Sequence, residues 1–244
     1  MSINIVITMA GLGSRFRAAG YTVPKYEIEV RDRTLFSWSL HSLANFIRPE
    51  NHFIFVCLRE SQARPFVAAQ ARELGIANLD IVELEVLVDG QATSALSAKP
   101  ALAVAEEAVL IYNIDTYVEP QYLLPEQFTA DGWIPCFEGL GDAWSFVRLD
   151  KGKRVAEVRE KQRISPYATI GMYGFSSFAL YEETYHRYFA EPGNLVKGER
   201  YIAPMYNQMI AQQHEVHMSL VPIQAVHALG TPADIQRFEA QYES

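Results

Sequence analysis

The chain has 244 residues, 49% of them hydrophobic and 20% charged, an ordinary globular composition with enough apolar side chains for a sizeable core. With 21 Lys and Arg against 29 Asp and Glu, the net charge of −8 argues against a protein that coats nucleic acid or an anionic membrane. Any phosphate it binds must therefore meet a local basic cluster. Cys57 and Cys136 are far apart and lie in apolar runs, the setting of buried thiols in a reducing compartment rather than of catalytic ones. No run approaches the length of a membrane helix, and the first apolar stretch is strand-length without a basic leader, so a cytoplasmic, soluble protein is expected.

In chain order, residues 4–10 read as the first strand, 52–58 as the second, 80–86 as the third and 108–114 as the fourth. Residues 35–46 and 60–74 between them carry apolar side chains at helical spacing, the latter with Gly75 placed to cap its C-terminus. Residues 91–104 read as a third helix. This alternation is that of βαβ units feeding a parallel sheet. After about residue 130 the rhythm changes to short strand-like runs with little helix between them, a mixed and partly antiparallel extension. Residues 177–189 and 201–212 read as later helices, and 217–223 and 225–230 as late strands. Thr231, Pro232 and Asp234 then open a final helix as N-cap, first turn and N-terminal acid. The expected fold is a single three-layer α/β/α domain over residues 1–244, with a mainly parallel central sheet.

Directly after the first strand comes Ala10-Gly11-Leu12-Gly13-Ser14-Arg15-Phe16, followed by a polar stretch ending in Val23-Pro24-Lys25. Two glycines let backbone approach a phosphate chain closely, and successive N–H groups in such a loop form an anion-binding concavity. Arg15 and Lys25 add cationic charge. A dinucleotide-binding loop needs glycine where Phe16 stands, for close helix–strand packing, and a Walker A loop needs Gly-Lys followed by Ser or Thr. Neither is present. A tight turn with no ligand is the remaining alternative for the two glycines alone.

Gly11, Gly13, Arg15 and Pro24-Lys25 together resemble the signature of the nucleoside-diphosphate-sugar pyrophosphorylase superfamily, nucleotidyltransferases with a GT-A-like fold. Asp89-Gly90-Gln91-Ala92-Thr93-Ser94-Ala95 resembles the family's second nucleotide-contacting segment. Ile111-Tyr112-Asn113-Ile114-Asp115 is similar to its strand ending in a metal-binding aspartate. Glu157-Val158-Arg159-Glu160-Lys161 and Ala168-Thr169-Ile170-Gly171-Met172-Tyr173 resemble its acceptor-side segments, and Leu229-Gly230-Thr231-Pro232 its late strand-to-helix turn. The resemblance implies an NTP contacted by residues 10–15, Lys25, Gly90, Gln91 and Thr93, and magnesium held by Asp115. It implies a phosphorylated acceptor, a sugar 1-phosphate destined for a surface polysaccharide, held by Glu160, Lys161, Thr169 and Gly171. Tyr206 and Asn207 are further acceptor-side candidates, although aromatic and apolar residues at helical spacing also describe a core.

Such a reaction needs little proton management, because a phosphomonoester is mostly dianionic near neutral pH. Its barrier lies in bringing anions together and stabilising charge on the departing pyrophosphate, which calls for positioning, cations and a metal. One departure from the family stands out. Many members carry a second metal-binding Asp two residues before the glycine of the late turn, where this chain has Ala228. Either the metal is held by Asp115, phosphate oxygens and water, or another carboxylate serves. Three other readings stay open: a cytidylyltransferase for a non-sugar phosphate such as phosphocholine, a glycosyltransferase using Asn113 to Asp115, and a non-catalytic nucleotide-sugar-binding protein. Nucleobase, acceptor and oligomeric state are not determined by the sequence.

Overall fold

The structure, a computed structural model, describes residues 2–102 and 104–241. Its strands are β1 Ile3–Thr8, β2 Glu29–Val30, β3 Arg33–Thr34, β4 His52–Leu58, β5 Leu79–Leu84, β6 Ala108–Asn113 and β7 Thr116–Val118. They continue with β8 Gly132–Glu138, β9 Ser145–Leu149, β10 Val155–Glu160, β11 Tyr167–Thr169, β12 Met172–Phe175, β13 Val216–Val221 and β14 Val226–Ala228. The helices are α1 Ser14–Ala18, α2 Leu35–His41, α3 Arg64–Glu73, α4 Gln91–Leu96, α5 Phe178–Tyr188, α6 Tyr206–Ala211 and α7 Pro232–Gln241.

The central sheet runs β10-β9-β11-β8-β12-β6-β1-β4-β5, with β13 added to β8. Strands β6, β1, β4 and β5 are parallel, and the sheet turns antiparallel at β12 and stays so through β8, β11, β9 and β10. The parallel run is thus one half of the sheet, and the antiparallel extension is the other. Thr8 lies opposite Asn113 on one side and Val56 on the other, so the carboxyl ends of β1, β4 and β6 finish together. That edge is where open α/β sheets collect ligand-binding loops.

Four of the six β1 residues are apolar, and both of its faces are covered. Ile3, Ile5 and Ile7 pack with Phe53, Phe55 and Phe36 on one side. Val6 packs with Ile54, Val56, Ala92, Ala95 and Tyr181 on the other. A third cluster joins Phe16, Trp38, Tyr117 and Phe238, tying α1, α2, β7 and α7 together beside the sheet edge.

Several elements are shorter than their sequence patterns. The helix expected over residues 35–46 ends at His41 and resumes as a 3-10 turn at Ala44–Phe46. That expected over 60–74 begins at Arg64, after a 3-10 turn at Arg59–Ser61. Gly75 closes it as anticipated, at φ 78° with its N–H on the Arg72 carbonyl. The helix expected over 91–104 stops at Leu96, and Lys99–Ala101 form a 3-10 turn containing Pro100, which cannot donate to a continuing helix; residue 103 lies outside the described residues. The one expected over 201–212 likewise yields a 3-10 turn at Ala203–Met205, around Pro204, before α6. Thr231 caps α7 by accepting the Asp234 N–H at 3.1 Å, and its hydroxyl donates to the Asp234 carboxylate at 2.6 Å. Among the described residues, no helix is long and apolar enough to cross a membrane.

Candidate active site

Residues 9–13 leave β1 as an open loop rather than entering a helix at once. Gly13, at φ 61° and ψ 32°, reverses the chain into the single-turn helix α1. A non-glycine residue is poorly tolerated there, and an added Cβ would also press on the Lys25 Cβ at 3.3 Å. Gly11 has open space around its Cα, so its backbone faces the cleft without obstruction. Lys25 follows Pro24, whose extended backbone leads into the 3-10 turn Lys25–Glu27.

These residues face the end of β6 across a pocket of about 270 Å³, whose walls include Thr8, Gly11, Gly13, Ser14, Arg15, Lys25, Asn113 and Asp115. Lys25 Nζ lies 3.1 Å from Asp115 Oδ2, with the two side chains 16% and 38% exposed. The basic residue of the loop and the acid at the strand end, ninety positions apart in sequence, therefore form one unit. The backbone of Asp115 is held by the late turn, its carbonyl accepting the Leu229 N–H at 2.7 Å, and Ala228 pairs with Thr116. A Cβ on Gly230 would lie 3.6 Å from Asp115 Oδ2 and 3.7 Å from Asp234 Oδ2, so glycine keeps this side of the cleft clear. Asp234 is committed elsewhere, to Thr231 and Arg237.

The described residues hold no group of three His, Cys, Asp or Glu side chains able to enclose a metal. Magnesium does not require one: it keeps several waters and commonly binds through one or two carboxylates together with substrate phosphates. Asp115, half-open beside a phosphate-sized pocket, fits that pattern.

Residues 89–95, the second segment expected to contact nucleotide, meet the end of β1 from the other face of the sheet. Gln91 Nε2 donates to Thr8 Oγ1 at 3.2 Å, joining the start of α4 to the end of β1. Gly90 adopts φ 136° and ψ 178°, with its Cα packed on the backbone of Arg200. Thr93 bonds Asp89 and the Tyr185 hydroxyl, so its side chain secures the segment.

On the antiparallel side, Glu160 ends β10 with its side chain only 6% exposed, bonded by Ser145 and 3.6 Å from Lys161 Nζ. Burial pushes the Glu160 carboxyl upward, opposed by Ser145 and Lys161. Lys161 stands at φ 51°, a turn that aims it away from the strand, and donates to the Tyr201 hydroxyl at 2.6 Å. Gly171, at φ 82°, is required by Asn113: a Cβ there would lie 2.1 Å from Asn113 Nδ2.

Three acceptor-side candidates have structural partners in the fold. Tyr206 is fully buried, donates to the Gly174 carbonyl at 2.8 Å and stacks on Phe175 at 4.7 Å, so it is core. Asn207 brackets Val158, accepting its N–H at 2.9 Å and donating to its carbonyl at 2.7 Å, and so pins α6 to β10. Thr169 is buried against the Tyr173 hydroxyl at 3.1 Å, behind the Glu160 layer. The sequence reading gave no role to Tyr201 or Arg200, and gave one to Asn113 only in the glycosyltransferase alternative. Only the last, two residues before Asp115 on a strand whose end faces the cleft, carried a local signal.

A glycine loop, a lysine–aspartate pair and a small-residue helix start thus lie together at the carboxyl edge of a parallel half-sheet. No protein-family model matches the sequence, and no curated protein does. Among solved structures, the nucleoside-diphosphate-sugar pyrophosphorylase from Vibrio cholerae RC9 matches 97% of this chain and 100% of its own, at 33% identity and a TM-score of 0.90. The chain belongs to the nucleoside-diphosphate-sugar pyrophosphorylase family, and it is a nucleotidyltransferase. Two more distant structures share the fold. The inositol-1-phosphate CTP transferase from T. maritima has 15% identity, a TM-score of 0.74 and coverage of 95% of this chain and 90% of its own. A protein assigned as a glucose-1-phosphate thymidylyltransferase, from Bacillus anthracis, has 14% identity, a TM-score of 0.76 and coverage of 98% and 94%.

Proposed function

We propose that the protein transfers a nucleoside monophosphate from an NTP to a sugar 1-phosphate, releasing pyrophosphate. The observation that carries this reading is the pairing of Lys25 with Asp115 across a pocket walled by the Gly11–Gly13 loop. That pocket offers backbone N–H groups and cationic charge for a phosphate chain beside a carboxylate for its counter-ion. The Vibrio relative's description as a nucleoside-diphosphate-sugar pyrophosphorylase supports a sugar as the acceptor's organic part.

In the reaction, a phosphate oxygen of the acceptor attacks the α-phosphorus of the NTP. The new P–O bond forms as the bond to the β-phosphate oxygen breaks, and that electron pair leaves on pyrophosphate. The loop backbone from Ala10 to Ser14 lines the phosphate chain, with Arg15 and Lys25 offsetting its charge. Asp115 would hold magnesium, which supplies charge neutralisation on the phosphates. Gly90, Gln91 and Thr93 shape the edge against which the nucleoside lies. Lys161, backed by Glu160, faces the acceptor phosphate. No group needs to remove a proton from the attacking oxygen.

The test is a matrix of CTP, UTP, dTTP and GTP against glucose 1-phosphate, mannose 1-phosphate, inositol 1-phosphate and phosphocholine, read as pyrophosphate release. One NTP is expected to release pyrophosphate only when a sugar 1-phosphate is present. Release with phosphocholine alone would move the assignment to a non-sugar phosphate. Absence of acceptor-dependent release, with transfer from a sugar nucleotide instead, would identify a glycosyltransferase.

A further inference from the structure

The nucleotide edge and the acceptor lysine lie on different halves of the sheet, yet two adjacent residues touch both. Arg200 clasps the first through its backbone: its N–H donates to the Asp89 carbonyl at 2.7 Å, and its carbonyl accepts the Ala92 N–H at 3.0 Å. A Cβ on Gly90 would lie 2.5 Å from that carbonyl oxygen, so glycine is what allows the two backbones to meet. The Arg200 guanidinium locks the clasp, donating to the Tyr185 hydroxyl at 2.6 Å, pairing with Asp89 at 3.2 Å and standing about equally far from the Tyr185 and Phe189 rings, at 5.5 and 5.4 Å.

Tyr201, the next residue, reaches the other half-site and accepts the Lys161 ammonium at 2.6 Å. Burial, with the Glu199 carboxylate beside it, pushes the Tyr201 phenol up, opposed by the Arg15 charge. The dipeptide itself is held at both ends. A tight turn precedes it, Val196 bridging to Glu199 with Lys197 and Gly198 at φ 53° and 81°, and fully buried Ile202 follows.

We propose that the Arg200–Tyr201 dipeptide sets the spacing of the two half-sites, Arg200 holding the nucleotide edge at Asp89–Ala92 and Tyr201 positioning the Lys161 ammonium that faces the acceptor. The proposal rests on the assignment of those two half-sites, and its test does not require turnover. Lys161 is modified with pyridoxal 5′-phosphate, trapped with borohydride and quantified by peptide mass spectrometry. The magnesium complexes of CTP, UTP, dTTP and GTP are titrated by calorimetry. Wild type, Tyr201→Phe and Arg200→Lys are compared, with Arg200→Gln in reserve if Arg200→Lys does not fold.

Tyr201→Phe removes the hydroxyl acceptor but leaves the ring, 4.5 Å from the ammonium, and Glu160 at 3.6 Å, and is expected to speed modification of Lys161 severalfold with NTP affinity unchanged. Arg200→Lys keeps the charge but loses the planar fork, and is expected both to weaken NTP binding and to speed Lys161 modification. Wild-type modification rates in both variants would overturn the proposal. So would an Arg200→Lys enzyme with weakened NTP binding and unaltered Lys161. A wild-type protein without acceptor-dependent pyrophosphate release would overturn the proposed function and leave the modification result standing.

Discussion

Lys25 and Asp115 each have an ordinary explanation when read alone, a solvated lysine and a turn-capping acid. Their 3.1 Å contact makes them one electrostatic unit. Lys25→Ala is expected to lower turnover by about 10²- to 10³-fold, the usual cost of removing one preorganised charge-stabilising group. Its melting temperature should change little, because partly exposed ion pairs contribute little stability; steady-state kinetics and calorimetric melts check both. Glu160 behaves differently. Its pKa is raised in the folded state by burial, so the fold binds its proton more tightly than the unfolded chain does. Its contribution is therefore most favourable below the unfolded value of about 4.3 and is lost as pH rises through the higher folded value. Glu160→Gln should flatten that part of the stability profile and leave the protein at least as stable at pH 7, while weakening acceptor use. A variant that melts lower at pH 7 would show that the Ser145 and Lys161 contacts outweigh the burial cost. At this scale the sequence was legible where residue type and neighbours agreed, as for Lys25 after Pro24. It was not legible for Tyr206 and Asn207, because helical spacing is the same whether a residue faces substrate or the interior.

At the scale of elements, the first loop and the late turn were readable because glycine and proline leave a backbone signature that tertiary packing seldom overrides. The third helix was not, since its apolar spacing persists past Leu96, where the backbone tightens into the 3-10 turn around Pro100. The clasp between residues 89–92 and Arg200 was invisible for another reason: it is backbone to backbone over a long sequence separation, and no side-chain pattern records it. It nevertheless yields a direct prediction. Gly90→Ala meets both an unfavourable φ of 136° and the Arg200 backbone. The strained conformation alone costs about 1–3 kcal/mol, so chemical denaturation should show at least that loss, with weakened NTP binding. Gly11→Ala, with open space at its Cα, should leave stability nearly unchanged by the same measurement.

For the whole molecule, alternating apolar runs and amphipathic stretches announced the parallel half of the sheet, and the change of rhythm after residue 130 announced the antiparallel half. The join between the halves was less legible, because β12 lies between β6 and β8 without a local sequence cue for that pairing. That join matters to the proposed reaction, because Lys161, the proposed acceptor lysine, follows β10 of one half, and the pocket around Lys25 and Asp115 lies at the end of the other. In the proposed reaction a nucleotidyl group passes from the pocket of one half to an acceptor held by the other. This transfer is tested most directly with an NTP carrying label in either its α- or its γ-phosphate, incubated with magnesium and the sugar 1-phosphate that supports turnover. Alpha label is expected in the sugar product and γ-label in pyrophosphate, in equal amounts. Gamma label released as orthophosphate, or label left wholly in the NTP while a sugar is transferred from a nucleotide sugar, would contradict it.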